Sequence, residues 1–364
     1  MKKVLKKILQ YINFCFIILL FIAYISTYIS PQSVSWLAFF GLLYPYILLV
    51  NIIFTIFWIL KKKLFFLFSL IAILIGWNFL ASFLQFNVFS KNKDLSTNTF
   101  SFLSYNVRLF DLYNWSDNQA TKSKVFNFLK VESPDIMCLQ EFYYDETNKF
   151  PTLDTLLKFR NVNYVHDEYT SHVHDVYHFG IATFSKFPII NEGKILFRNT
   201  NNICIYTDII IADDTIRIYN NHLQSVHFQP KNYNFMDSIT QSYNNTKLIG
   251  IVDILKRIES AFIKRAFQVE YISEHIENSP YPVIVCGDFN DSPFSYCYRR
   301  MRKELADAFI ESGMGIGNTY VRKFPSYRID YILHSKDLKS YHYKKSKIKY
   351  SDHYPIQCEF QIIE

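Results

Sequence analysis

Acidic residues are absent from the first ninety positions of this 364-residue chain, and the earliest is Asp94. The same stretch has few charges of any kind, only lysines between long apolar runs, which is the composition of a membrane region and excludes an acidic or disordered N-terminal arm. Cysteine pairing signals are also missing. The six cysteines show no C-x-x-C or zinc-type spacing, and five of them, an odd number, follow the apolar region (Cys138, Cys204, Cys286, Cys297, Cys358). Buried thiols are therefore expected, neither a disulfide framework nor a structural zinc site. No internal repeat or low-complexity tract is present. Charged residues make up only 20% of a half-apolar chain, which excludes disorder over its length.

The scarcity of acid also explains the net charge. The formal +7 arises from 39 basic and 32 acidic residues. Nine of the lysines lie at or before Lys93 with no acid beside them, so from Asp94 onward 30 basic residues face 32 acidic ones. The basic balance belongs to membrane topology, and net charge gives no support to a nucleic-acid partner.

Three apolar runs, at about residues 8–29, 36–60 and 64–89, each reach the roughly 20 residues needed to cross a hydrocarbon core about 30 Å thick. Three transmembrane helices are expected within residues 1–91. The first run is too long for a signal-peptide h-region, despite Lys2, Lys3, Lys6 and Lys7 before it. Trp36, Trp58 and Trp77 read as belt or packing residues. Lysines favour the cytoplasmic side, which places both the N-terminal four and Lys61–Lys63 there. The uncharged Pro31–Ser35 turn then faces outward, and a third crossing delivers the rest of the chain to the extracytoplasmic side of a multi-pass protein.

Residues 92–98 are polar and read as a linker. From 99 to 364 apolar β-type runs alternate with helical patterns, which indicates a single α/β domain. Strands are expected at 99–107, 136–140, 180–184, 203–211, 215–223, 283–286, 329–333 and 355–362. Helices are expected at 122–132 and about 247–278.

Polar residues recur at the ends of these runs. Asn106 closes Ser104-Tyr105-Asn106, Glu141 closes the run from Ile136, and His222 follows Asn220-Asn221. Gly287-Asp288-Phe289-Asn290 closes another, Asp330 opens the run before Tyr331, and Ser351-Asp352-His353 precedes the last. Strand ends in α/β sheets are where ligands bind. The convergence of carboxylates, amides and two histidines offers oxygen ligands for a hard cation together with acids and bases. Any one of these residues alone also reads as a turn, cap or strand terminator.

In this order the set resembles the endonuclease/exonuclease/phosphatase superfamily over about residues 100–360. The resemblance implies a two-sheet β-sandwich flanked by helices and a metal-dependent hydrolase of phosphate esters. It implies Glu141 as principal ligand of Mg2+ (with Mn2+ or Ca2+ as alternatives), assisted by Asn106, with Asp352 as a further ligand or metal-water contact. Asp288 would orient or deprotonate the attacking water, and Asn290 would donate to phosphate or water. His353, paired with Asp330, would contact phosphate, and His222 would donate to phosphate or the leaving oxygen. The partners implied are a lipid bilayer and a phosphodiester, either nucleic acid or a lipid or sugar-phosphate head group, with no obligate protein partner. The alternative is a noncatalytic membrane-anchored scaffold that retains the fold.

Other features have plainer readings. His166, His172, His174 and His178 could form a second metal site or a substrate wall, but a His-x-His pair more often marks exposed loop histidines. The segment 225–245 is a candidate for substrate selection or a variable insertion. Arg265 and Gln268 read as packing or surface pairing on the long helix. Lys344, Lys345, Lys347 and Lys349 read as a solvated hairpin, with membrane phosphates as the alternative contact.

Overall fold

The computed structural model describes residues 2–87, 99–226, 245–321 and 326–363. The expected linker at 92–98 and nearly all of the expected selection segment at 225–245 lie outside the described residues. Two compact units are present: the first holds residues 1–80, 224–269 and 292–300, and the second holds 81–223, 270–291 and 301–364.

The first unit contains α1 (Lys2–Ser26) and α2 (Ala38–Leu60), of 25 and 23 residues. Both are long and apolar enough to cross a membrane. The third expected span is not one helix. Its apolar run gives α3 (Phe66–Ile75), ten residues that end at Gly76, then a five-residue α4 (Trp77–Ala81) and a three-residue strand β1 (Leu84–Phe86). Ten residues rise about 15 Å, half of a hydrocarbon core. The hydropathy of 64–89 is high enough, but its polar residues do local work: Gln85 Nε2 donates to the Ala81 carbonyl, and Asn87 Nδ2 donates to the carbonyls of Ile310 and Gly313. Among the described residues two helices are therefore candidate spans, and an extracytoplasmic domain delivered by a third crossing loses its basis.

Some of the polar side chains buried between these apolar helices pair with one another, which offsets the cost of their burial. Asn13 Nδ2 donates to Ser69 Oγ at 2.7 Å, and Trp58 Nε1 donates to Asn13 Oδ1 at 2.9 Å. Trp58 is thus a packing residue, whereas Trp36 and Trp77 are exposed. Glu259 and Phe262, on the early part of the long helix, meet Ser35 and Phe39 within the same unit.

The second unit is built on β2 (Thr99–Asn106), β3 (Ile136–Asp145), β4 (Tyr164–Val173), β5 (Tyr177–Ser185), β6 (Ile189–Leu196), β7 (Ile203–Ile211) and β8 (Asp214–His222). It continues with β9 (Val283–Asp288), β10 (Ala306–Asp307), β11 (Met314–Ile316), β12 (Asp330–His334), β13 (Leu338–Lys345) and β14 (Ile356–Ile362). One six-stranded sheet runs β10-β12-β9-β8-β7-β6 and the other β13-β14-β2-β3-β5-β4. Phe100, Phe102, Ile136 and Cys138 of one sheet pack with Ile209, Ile218, Ile284 and Ile332 of the other in one buried cluster. The expected two-sheet α/β sandwich is what forms. Helix α5 (Thr121–Glu132) buries Val125 and Leu129, one turn apart, against the outer face. The 33-residue helix Asn245–Glu277 contributes to both units. The five cysteines after the apolar region are buried, and none forms a disulfide.

Two parallel pairs, β2 with β3 and β8 with β9, point their C-terminal ends the same way. The antiparallel partners β12 and β14 begin at that same end. Gly287 makes the approach of β9 to β8 possible. Its φ is +116°, and a Cβ there would sit 2.1 Å from the Asn221 carbonyl oxygen. Replacing Gly287 by Ala is expected to cost about 3 kcal/mol or more, since left-handed strain and a backbone collision add. Urea unfolding of both proteins measures it.

Candidate active site

The end shared by those strands collects the polar residues singled out in the sequence. Asn106 closes β2 opposite Gln140 of β3, so Glu141 lies one residue beyond that pair. The register between β3 and β5 slips between Leu139 and Phe142, and Glu141 takes a left-handed φ of +48°. A bulge re-aims a side chain that regular pleating would send elsewhere. In the other sheet His222 and Asp330 both pair with Asp288, from opposite sides of β9. Amides tie the sheets together beneath: Gln140 Nε2 donates to Asn220 Oδ1 at 2.7 Å.

Asp288 is the hub. It is 1% exposed, and its Oδ1 accepts the Asn290 backbone N–H at 2.8 Å. Its Oδ2 accepts from Asn106 Nδ2 at 3.0 Å and from Asn290 Nδ2 at 3.1 Å. Two histidines face the same oxygen, with His353 Nε2 at 3.7 Å and His222 Nε2 at 3.9 Å. The Nδ1 of His353 lies 3.0 Å from Asp330 Oδ2 and 3.1 Å from Oδ1, which fixes the ring and leaves Nε2 toward Asp288. Glu141 is more open, with Oε1 accepting from Asn106 Nδ2 at 3.2 Å and lying 3.7 Å from His222 Nε2.

Against known proteins, the model of the Endonuclease/Exonuclease/phosphatase family matches residues 103–353. This chain belongs to that family. A second model, a domain of unknown function, matches residues 6–83. No curated protein matches significantly. Among solved structures, an endonuclease/exonuclease/phosphatase from Beutenbergia cavernae aligns with a TM-score of 0.53 at 13% identity, covering 73% of this chain and 72% of its own. The human Nocturnin catalytic domain with bound sulfate aligns with a TM-score of 0.51 at 20% identity, covering 74% and 96% respectively. A humanised D. rerio TDP2 gives 0.50 at 17% identity, covering 73% and 100%. At these identities the structural likenesses show a shared fold.

Members of the endonuclease/exonuclease/phosphatase family are hydrolytic nucleases or phosphatases that generally use divalent metals, and the donor set fits such an ion. Burial pushes the Asp288 carboxyl up to about 6, with Asp330 adding to the rise and His353 and His222 opposing it. Burial, and then Asp352, likewise raise Glu141. Carboxylates whose charge is under-compensated in this way would be stabilised by a hard cation, and the donors are oxygens and imidazole. Asp288, Asp330 and His353 have potential ligand atoms within 4.8 Å of one another. Within that trio His353 Nδ1 is already bonded to Asp330. The more open Glu141 also offers carboxylate oxygens to such an ion.

His353 is expected to make stability depend on pH. Burial opposes its charge, but the carboxylates of Asp330 and Asp288 outweigh this and raise its pKa well above the ordinary value. A histidine raised in the folded state stabilises fully below about pH 6.5 and loses that contribution as pH rises through the folded pKa. Metal-free wild type should therefore exceed His353→Gln in melting temperature most clearly near pH 6, and the gap should close in the alkaline range.

Asn106, expected to assist Glu141 in holding the metal, accepts the Arg108 N–H through Oδ1 at 3.0 Å and bridges Glu141 and Asp288 through Nδ2. Asp352 lies 3.5 Å from Arg108 Nε, and Ser351 Oγ donates to the Asn106 carbonyl. Arg108 escaped the sequence reading, although it follows Asn106 by two positions. It enters the site through four successive left-handed residues, Arg108 to Asp111, and its guanidinium lies 4.6 Å from the Trp115 ring. Thr319 Oγ1, accepting the Asp330 N–H at 3.1 Å, is a second unforeseen support. The lysine hairpin is partly structural: Lys345 donates to the carbonyls of Ile316 and Asn318, and Lys344 pairs with Glu132.

Proposed function

We propose that this chain is a membrane-anchored, divalent-metal-dependent phosphodiesterase that hydrolyses its substrate by in-line attack of water. The observation that carries the reading is the convergence of Asp288, Asp330 and His353 at the shared end of both sheets.

In this reading Asp288 orients and deprotonates the attacking water. Its raised pKa makes it a better base than an ordinary aspartate, and Asn106 and Asn290 hold its oxygens in place. Asn290 also donates to the Leu223 carbonyl, so its first task is to fix Asp288, and contact with phosphate or water is a second. His353, kept protonated by Asp330, presents Nε2–H to the phosphoryl oxygens, where negative charge develops. His222 supplies a further donor toward phosphate or the leaving oxygen. Glu141 and Asp352 would hold Mg2+, with Mn2+ and Ca2+ as alternatives, and Asn106 would steady Glu141. When bound, the cation supplies Lewis-acid stabilisation of the phosphate charge.

The two apolar helices support anchoring in a bilayer. The near-neutral charge after Asp94 favours a lipid or sugar-phosphate head group over long nucleic acid, because nonspecific duplex binding rests on cationic contacts. The test is magnesium-dependent hydrolysis by the detergent-purified chain of bis-p-nitrophenyl phosphate, sphingomyelin, glycerophospholipid, inositol phosphates, RNA and DNA. Activity that depends on the metal and on Asp288 supports the reading, and absence of turnover on every substrate overturns it. Retention in the membrane pellet after alkaline carbonate washing tests the anchor.

A further inference from the structure

The four clustered histidines do not form a loop. They lie on β4 and β5 and in the tight turn between them. His166 is buried, with Nδ1 2.8 Å from Thr207 Oγ1, and is structural. His172 and His178 are different. They are direct cross-strand partners, and their Nδ1 atoms converge to 2.6 Å.

Three features make that convergence more than a surface hydrogen bond. The far nitrogen of His178, Nε2, lies 3.0 Å from Glu146 Oε1. A carboxylate there places the proton on Nε2 and turns the Nδ1 lone pair toward His172, the arrangement by which carboxylates orient metal-binding imidazoles. The His178 ring is also immobilised. It stacks on Tyr144 with centroids 5.7 Å apart and lies 5.4 Å from the Tyr169 ring, leaving the side chain 12% exposed. His172, by contrast, is exposed. One stacked, tautomer-fixed donor and one exposed donor thus face a common point that is open to water.

We propose that His172 and His178, oriented by Glu146, bind a borderline divalent cation of the zinc type, with water completing the coordination. The geometry needs little change. Zinc–nitrogen bonds of about 2.0–2.1 Å at a tetrahedral angle put the two nitrogens about 3.4 Å apart, so His172 must withdraw by roughly 0.8 Å. The cation replaces the single proton that the two Nδ1 atoms now share. Imidazole donors select zinc, copper, nickel or cobalt over the hard cations that carboxylate oxygens prefer, so this site and the Glu141 region would take different metals. His178 pairs with Tyr144, three residues beyond Glu141 on β3, which puts the two sites about 10 Å apart along the strand.

The test uses the full chain in detergent, stripped with chelator and titrated with Zn2+ alone, then with Co2+ alone. Bound metal per chain is measured by elemental analysis, and cobalt by its visible ligand-field bands. Wild type is expected to bind one more equivalent of Zn2+ than His172→Ala, and Glu146→Gln should bind that equivalent about 10- to 100-fold more weakly. His172 is exposed, so its variant should keep the wild-type circular dichroism spectrum, and a His178→Ala variant that folds should behave in the same way. Equal zinc stoichiometry and affinity in wild type and folded His172→Ala would overturn the proposal. So would cobalt bands identical in the two proteins.

Discussion

Replacing Asp288 by Asn is expected to lower phosphodiester turnover by about 10²- to 10⁴-fold, the range of a lost general base, without loss of the fold. The substitution keeps the shape of the side chain and one oxygen to accept from Asn106 and Asn290, while its amide nitrogen gives up the bond that Oδ1 accepts from the Asn290 backbone N–H, a loss of about 1 kcal/mol. It removes a charge that the folded protein holds at a cost. Because burial raises the Asp288 pKa to about 6, above the unfolded value of about 3.9, the folded chain binds more protons between those two pH values. The ionised carboxylate therefore costs stability fully above about pH 6, and that cost vanishes as pH falls below about 4. A neutral amide in its place carries none of it. The metal-free variant is thus expected to melt above wild type at pH 8 and to lose that margin near pH 4, offset in part because His353 loses a neighbouring anion. An inactive but stabilised variant would separate chemistry from folding, as expected where active sites store unfavourable electrostatics. Turnover within about threefold of wild type would remove Asp288 from the mechanism.

The sequence made the site legible where residues act from strand ends and concealed it where backbone geometry intervenes. All eight strand runs expected from apolar pattern are strands, because each is buried by neighbours on both sides or by the facing sheet. The long strands that the pattern missed, β4, β6 and β13, are edge strands, where half-exposed polar residues dilute the signal. Glu141 was recognisable as a carboxylate after an apolar run, but it does not end the strand: β3 continues to Asp145, and Glu141 sits at a bulge that nothing in Leu139-Gln140-Glu141 demands. Arg108 reaches Asp352 only through a left-handed turn built from residues that ordinarily avoid it. The third apolar run misled for the opposite reason. Hydropathy averages over a window and cannot see that Gly76 ends one helix, or that the residues after Ser82 pair as a strand. The histidine cluster misled in the same way, since a register of paired strands is what joins His172 to His178.

The largest stability effect is expected far from the reacting atoms, at Asp307. Its carboxylate meets Arg328 in a two-pronged pair, Nη2 to Oδ2 at 2.8 Å and Nη1 to Oδ1 at 3.0 Å, and both side chains are wholly buried. The guanidinium also lies 4.8 Å from the Phe309 ring and 4.6 Å from that of Tyr331. Asp307→Ala leaves a cation that can neither reach water nor give up its proton, and breaking such a pair costs about 3–5 kcal/mol. Asp307 caps the helix after it as well, by accepting the Phe309 N–H at 2.9 Å, and this adds about 1 kcal/mol. At about 2–4 °C per kcal/mol for a region of this size, the melting temperature should fall by roughly 8–24 °C. The pair braces the active site indirectly, since Tyr331 donates to the Arg328 and Asp291 carbonyls and Asp330 precedes Tyr331 in β12. Turnover measured well below the new melting point should nevertheless stay close to wild type, because no reacting group is removed. The double variant Asp307→Leu with Arg328→Met is the control. An uncompensated charge predicts that it recovers most of the lost stability, whereas a purely geometric role for the pair predicts a loss at least as large as that of Asp307→Ala.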